Sequence, residues 1–209
     1  MPSQVIRLLI VDDHPAFRAG LVSLLADQAD LRVSAQCGDG REAVELYRRE
    51  KPDVVLMDLR LPGLSGVEAI LAIRQEDPAA RVIVVTTYDS DEDIYRAIQS
   101  GAKSYLMKDM SKAEIVGMIR AVHAGKERLP SAIADRLAER RRRPELTLRE
   151  VEVLQLLVKG RSNKEIASDL SIAEDTVKSH LKTLFLKLGV QDRTAAAINA
   201  IQHGIVKLP

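Results

Sequence analysis

Two adjacent carboxylates close an apolar run in "RLLIVDDHP", residues 7–15, and a third, Asp58, closes another in "VVLMDLRLPG". Hydroxyls follow in "VIVVTT" (Thr86, Thr87) and an ammonium in "SYLMK" (Lys108). Three carboxylates brought together raise one another's pKa, because like charges a few ångströms apart cannot all ionise cheaply. A hard divalent cation removes that conflict, and Mg²⁺ characteristically takes one or two carboxylates with a carbonyl and waters. A lysine adds a compact positive charge suited to a phosphoryl oxygen, and a threonine can donate a hydrogen bond to the same group. Such a set can support transfer of a phosphoryl group onto a carboxylate, since aspartyl phosphate is a stable enough covalent species. Each residue also has a plainer role. An Asp between strand and helix can cap the helix, and His14, next to the acidic pair, is expected only to begin one.

The pattern around these residues says which elements must hold them. Val5 to Val11, Leu31 to Gln36, Val54 to Met57, Val82 to Thr86 and Lys103 to Met107 are short runs rich in Val, Ile and Leu with little polar alternation. Runs of that kind suit strands buried on both faces. Between them apolar residues recur at three and four positions, as in Phe17, Leu21, Leu24 and Leu25, or Ile115, Ile119 and Val122. The fold expected is therefore α/β, a doubly wound five-stranded parallel sheet whose ligands bind at the carboxyl ends of the strands. Asp12, Asp13, Asp58, Thr86 and Lys108 all fall at those ends.

After Gly125 the pattern changes. A linker containing a short helix precedes four helical stretches, at about Thr147 to Lys159, Lys164 to Leu170, Glu174 to Leu188 and Arg193 to His203. The boundaries read from the sequence are 1–124, 125–145 for the linker, and 146–209 for a small all-α domain. The 209 residues carry 31 basic and 30 acidic side chains, yet 20 of the acidic ones and 17 of the basic ones precede Ser131, against 10 and 14 after it. An acidic front and a basic back suit a cation or phosphate site followed by a polyanion binder. Cys37 is the one cysteine, which excludes an internal disulfide and a cysteine-rich zinc site. With no membrane-length apolar run and no signal-peptide pattern at the start, a cytoplasmic protein with no membrane partner is expected.

The stretches "LLIVDDHPAFRAGL", "PDVVLMDLRLPGLSGVEA", "VIVVTTYDSDE" and "GAKSYLMKD", in that order, resemble the flavodoxin-like receiver domain of two-component response regulators over about residues 5–124. That resemblance implies Asp58 as phosphoacceptor. It implies Mg²⁺ as cofactor, held by Asp13, Asp58 and the backbone carbonyl of Arg60, with Asp12 acting through water. Lys108 then pairs with the phosphoryl group, Thr86 is the switch hydroxyl, and Tyr105 is the aromatic that turns inward when Thr86 engages. One position departs from the pattern: Asp109 stands where many receivers have a proline in cis.

Residues 146–198 sort by face. Val151, Leu154, Leu157, Ile166, Ala167, Leu170, Val177, Leu181, Leu184 and Leu188 would form one core, while Thr176, Lys178, Ser179, Lys182 and Lys187 lie on the other side. Two helices joined by "SIAED", the second of them basic outside, give a helix-turn-helix layout. "NKEIASDL", "TVKSHL" and "KLGV" resemble the DNA-binding domain of the LuxR/FixJ class, and receiver plus this domain is the NarL-like arrangement. The resemblance implies Lys178, Ser179 and Lys182 as base readers, and Thr176, Asn163, Lys164 and Lys187 as phosphate contacts. It makes His180 a brace and the last helix a dimerisation surface. Ala173 departs from the usual Ser before the recognition helix, so Ser171 or a backbone shift must compensate, or that helix starts frayed.

Taken together, the sequence reads as a transcriptional regulator controlled by phosphorylation, the output partner of a sensor histidine kinase. Its other partners are double-stranded DNA half-sites and, when phosphorylated or DNA-bound, a second copy of itself. It accepts phosphate rather than turning over a substrate. Two rivals stand beside this reading. One is a constitutive DNA-binding protein whose receiver only dimerises. The other is a Mg²⁺-dependent phosphohydrolase, against which the missing second Asp at residue 60 argues, since Leu59 and Arg60 follow Asp58.

Overall fold

A computed structural model describes residues 5–87, 90–126 and 129–206, so Tyr88 and Asp89 of the "VIVVTTYDSDE" stretch lie outside the described residues. The chain forms two compact units, Met1–Asp89 with Asp93–Ala134, and Ser90–Glu92 with Asp135–Pro209. Among the described residues no helix is long and apolar enough to cross a membrane.

In the first unit strand and helix alternate through β1 (Ile6–Val11), α1 (Pro15–Leu25), β2 (Leu31–Cys37), α2 (Gly40–Glu50) and β3 (Val54–Met57). They continue through α3 (Gly66–Glu76), β4 (Val82–Thr86), α4 (Asp91–Gln99), β5 (Ser104–Met107) and α5 (Lys112–His123). All pairings are parallel and the strand order is β2-β1-β3-β4-β5. The expected doubly wound sheet is thus the one found, with strand ends within a residue of those read from the pattern.

Successive side chains of a strand point to opposite faces, and the five strands use this to feed two cores. Leu9, Val11, Val55, Met57, Val82 and Val84 face α2, α3 and α4, where Val44, Ile70, Ile73 and Ile94 meet them. Ile6, Leu8, Ile10, Leu56, Ile83 and Leu106 face α1 and α5, packing on Leu21, Leu25, Ile115 and Ile119. Since both faces are covered, β1, β3, β4 and β5 show little polar alternation, whereas the edge strand β2, expected to be as apolar, alternates through Arg32, Ser34 and Gln36 and is only partly buried.

Local chemistry sets the helix starts. Asp39 caps α2 by accepting from the Arg41 and Glu42 N–H groups, and Ser65 and Ser111 form reciprocal capping boxes with Glu68 and Glu114 at α3 and α5. At Gly66 a Cβ would lie 2.0 Å from the carbonyl oxygen of Asp58. Only glycine therefore lets α3 begin this close to the end of β3.

The second unit contains α7 (Leu148–Val158), α8 (Asn163–Asp169), α9 (Glu174–Leu188) and α10 (Arg193–Gln202), preceded by α6 (Ser131–Arg142), the helix expected within the linker. Val153, Leu154, Leu157, Ile166, Val177, Leu181, Leu184, Ala196 and Ala200 make its core. Val153 takes the place expected for Val151, which is half-buried. The buried stripe of α7 runs through Glu150, Val153, Leu154 and Leu157, and a charged first member hid that stripe from a hydrophobic pattern.

Thr147 and Ser162 form capping boxes with Glu150 and Glu165, and Gly189 closes α9 in the left-handed region at φ 67°. Ala173 is the N-cap of α9, extended at φ −71° and ψ 147°, with no side-chain hydrogen bond. Ser171 does not supply the missing cap; it adopts a positive φ of 52° in the preceding turn. Glu174 and Asp175 in the first turn offset part of the loss through the helix dipole. Ala173→Ser should therefore stabilise the second unit by about 1 kcal/mol, read as a rise in the urea midpoint at unchanged slope; an unchanged midpoint would show that the acidic first turn already suffices.

Candidate functional site

The strand order reverses between β1 and β3, and there the chain ends of two neighbouring strands open into a crevice. Asp12 and Asp13 follow β1, and Asp58 follows β3. Backbone bonds fix these ends: Asp58 N–H donates to the Val11 carbonyl at 2.8 Å, Asp12 N–H to Cys37 at 3.1 Å, and Lys108 N–H to Thr86 at 2.8 Å. The last bond ties the lysine to the end of β4, so four strands contribute to one sheet edge.

The Lys108 ammonium is the centre of the cluster, 2.7 Å from Asp58 Oδ2 and 2.5 Å from Asp12 Oδ2. It also lies 4.6 Å from the centre of the Phe17 ring, an aromatic face favourable to a cation. Asp58 Oδ1 accepts the Arg60 N–H at 3.1 Å, and Asp12 Oδ1 accepts the His14 N–H at 2.8 Å. Asp12 Oδ2 is buried, and the Lys108 ammonium is its partner. Asp13 differs from its neighbour: its carboxylate is 37 % exposed and its Oδ1 lies 2.8 Å from His14 Nδ1.

Burial pushes the Asp58 carboxyl above the usual aspartate range, with the Asp12 charge adding to the rise and the Lys108 and Arg60 donors opposing it. Lys108 feels burial in the opposite sense, but the Asp12 and Asp58 carboxylates outweigh it and hold the ammonium protonated above its ordinary range. A carboxyl strained by burial and a fixed cation beside it form a site where added positive charge relieves a real cost. Asp12, Asp13, His14 and Asp58 can each offer one ligand atom with all four within 4.8 Å of one another, so the cluster can hold a divalent cation. The convergence of three carboxylates on one point is the feature that such an ion fits.

Thr86 is buried at the end of β4, and Tyr105 is wholly buried in the core facing α2, α3 and α4. The peptide bonds of the described residues, including that between Lys108 and Asp109, are all trans. Three contacts of the site were not read from the sequence: Phe17 under Lys108, the Arg18 guanidinium donating to the Asp12 carbonyl, and the turn of His14 towards the acids. Phe17 and Arg18 lie one helical turn past the acidic pair, so their spacing was the signal available.

On α9, Asp175, Lys178, Ser179 and Lys182 share one exposed stripe, with Thr176 beside it. Lys178 donates to Asp175 at 2.9 Å and lies 3.9 Å from Glu174. Lys164 is exposed at the start of α8, and Asn163 accepts from Arg193 at 3.5 Å. Lys187 stands apart from the expected phosphate contacts. Its ammonium is 2.7 Å from the buried Glu150 and 3.0 Å from the Glu145 carbonyl, so reaching a phosphate means abandoning a buried carboxylate.

Residues 8–120 match the family model of the response regulator receiver domain, and residues 144–200 match that of bacterial regulatory proteins of the luxR family. The chain is 40 % identical over 210 residues to the transcriptional regulatory protein LiaR of Bacillus subtilis, spanning 97 % of this chain and 100 % of that one. To the response regulator protein VraR of Staphylococcus aureus it is 38 % identical over 207 residues, spanning 97 % and 99 %. Among solved structures, the response regulator ChrA of a heme-sensing two-component system matches with a TM-score of 0.59 and 36 % identity over 97 % of this chain and 99 % of that one.

The Glu150–Lys187 pair yields an expectation for the second unit. Burial would raise the Glu150 carboxyl, but the Lys187 ammonium and the Thr147 groups hold it below the ordinary glutamate range. A carboxyl depressed on folding contributes stability above its unfolded pKa and loses it as pH falls through the folded value. Glu150→Gln should cost about 1–3 kcal/mol at pH 7 and flatten the loss of stability on acidification below the ordinary glutamate range. Urea unfolding at neutral and acid pH measures both, and equal sensitivity to acid in variant and wild type would contradict the assignment.

Proposed function

The chain belongs to the bacterial response regulators that join a receiver domain to a LuxR-type DNA-binding domain, and from that premise we propose that Asp58 is its phosphoacceptor and a histidine kinase its donor. The carrying observation is the Lys108 ammonium held between the Asp58 and Asp12 carboxylates at the sheet's switch point. A receiver accepts and loses a phosphoryl group on its own carboxylate, which sets the chain apart from enzymes that turn over a free substrate. The receiver is taken as residues 1–124, the linker as 125–145 and the DNA-binding domain as 146–209.

On this reading the Asp58 carboxylate attacks phosphorus, forming a P–O bond as the P–N bond of the donor phosphohistidine breaks, and the leaving imidazole takes up a proton. Mg²⁺ held by Asp13, Asp58 and the Arg60 carbonyl, with Asp12 reached through water, supplies neutralising charge for the phosphoryl oxygens when bound. Lys108 transfers its ion pair from the carboxylates to a phosphoryl oxygen. Thr86, one strand over, donates its hydroxyl to another. Thr86 and Tyr105 form the switch pair, with the inward position in which Tyr105 is buried here being the one it takes when Thr86 engages.

Lys178, Ser179 and Lys182 face base edges, while Thr176, Asn163 and Lys164 contact phosphates. Lys187 braces the domain through Glu150. The exposed Ile198 and Ile201 of α10 provide the apolar surface on which two copies pair on DNA half-sites. A phosphoryl group shifts the balance of states only through its different interaction with each, so phosphorylation acts by favouring the paired, DNA-bound form.

Labelling with a small phosphodonor and Mg²⁺ tests the first step: wild type should take up phosphate and Asp58→Asn should not. DNA affinity and oligomeric state that are identical with and without phosphodonor would instead support the constitutive reading, and sustained phosphate-ester turnover lost in Asp58→Asn would support the hydrolase. Selection of bound DNA from a random pool tests the second step. Replacing Lys178 or Lys182 by Ala should change the selected sequence, with roughly 1–3 kcal/mol lost per base contact; a uniform loss across all sequences would reassign them to phosphates.

A further inference from the structure

Phe17 touches Lys108, yet the phosphoacceptor reading gives it no part in the chemistry. Its ring centre lies 4.6 Å from the Lys108 ammonium, inside the range of about 6 Å over which a π face attracts a cation. The ring packs against the core that α1 and α5 share with the sheet. Two bonds tie down the first turn of α1 that carries it: Arg18 N–H donates to the His14 carbonyl at 3.1 Å, and the Arg18 guanidinium donates to the Asp12 carbonyl. Lys108 is fixed at its backbone by the bond from its N–H to the Thr86 carbonyl. Its ammonium, however, ends a flexible four-carbon stem, so the partners of the charge set where it sits.

Those partners differ in what phosphorylation does to them. Asp58 Oδ2 at 2.7 Å and Asp12 Oδ2 at 2.5 Å are carboxylate oxygens. Once Asp58 carries a phosphoryl group its own carboxylate charge is gone, and the ammonium exchanges that oxygen for a phosphoryl oxygen. The Phe17 ring is neutral, and its attraction depends on the charge rather than on one particular N–H. The exchange therefore leaves it unaltered. Burial makes the contact count, since the Lys108 side chain is only 9 % exposed and a cation–π contact strengthens when water is kept away. We propose that Phe17 is a positioning residue for phosphoryl transfer, its π face holding the Lys108 ammonium at the sheet edge while the ammonium passes from carboxylate to phosphoryl oxygen. The inference rests on the reading of Asp58 as phosphoacceptor. It adds to that reading an aromatic ring that acts only through Lys108.

The test uses the full chain with phenylalanines carrying one, two or three ring fluorines installed at residue 17, beside Phe17→Tyr and Phe17→Leu. Fluorine withdraws charge from the ring face while nearly preserving its shape, so the series weakens a cation–π contact in steps and leaves packing intact. Phosphate uptake from acetyl phosphate with Mg²⁺ should slow with each fluorine. The loss should reach roughly three- to tenfold for the trifluorinated ring and for Phe17→Leu, with Phe17→Tyr within about twofold of wild type. Without added Mg²⁺ or phosphodonor, nuclear magnetic resonance reads the contact apart from any activity: the Lys108 ε-methylene protons should be shifted upfield by the ring in wild type and return to the ordinary lysine position in Phe17→Leu. The fluorinated chains carry the test if Phe17→Leu unfolds. A rate that is unchanged or rises along the fluorine series, or an absent upfield shift in wild type, would overturn the proposal and leave Phe17 as a core side chain. The parent reading fails separately: it falls, and the inference with it, if wild type takes up no phosphate or Asp58→Asn takes up as much as wild type.

Discussion

One buried ammonium holding two buried carboxylates is the constraint on which the receiver's edge depends. Asp12 and Asp58 are both nearly inaccessible to solvent, and neighbouring like charges in such surroundings repel strongly. Lys108 relieves that repulsion, but a buried ion pair seldom returns more than its desolvation cost. The cluster is therefore better understood as a poised electrostatic site than as a source of stability. Its surroundings fit that view. Phe17 offers a π face to the same ammonium, Arg18 fixes the Asp12 carbonyl, and the Arg60 N–H fixes the Asp58 carboxylate.

The sheet exists around this edge in a literal sense. Strand order β2-β1-β3-β4-β5 places the ends of β1 and β3 next to each other, and the Val11 carbonyl receives the Asp58 N–H across that seam. Gly66 then allows α3 to start against the Asp58 backbone, where a Cβ would overlap the carbonyl oxygen. The two cores on either face keep β1 and β3 rigid, so charges at their ends are held at fixed separation in place of relaxing apart.

In the second unit the same logic appears at smaller scale. Capping boxes begin α7 and α8, while α9 begins on alanine with two acids in its first turn. Asp175 and Glu174 lie beside Lys178, so the basic stripe is partly neutralised at its N-terminal end. An exposed pair of this kind contributes little stability. Lys187 is the contrary case, committed to the buried Glu150 and to the architecture of the unit.

The sequence by itself determined the elements, because strand and helix periods and cap residues are local properties: all five strands, the helix start at Thr147 and Gly189's closure of α9 follow from neighbours in the chain. It also brought the acids, Thr86 and Lys108 to one edge, since residues ending parallel strands share an edge whatever their order. Only the tertiary structure decided which partners these groups take. Asp12 and Asp13 are adjacent in sequence with the same side chain, yet strand alternation buries one on Lys108 and leaves the other beside His14 at the surface. Glu150 reads as a capping acid and Lys187 as a surface cation until packing of α7 against α9 buries the first and directs the second onto it. Those outcomes depend on burial and on contacts between residues far apart in the chain, and a charge's role is fixed by the dielectric and the partner it meets there, neither of which its own neighbours in sequence encode.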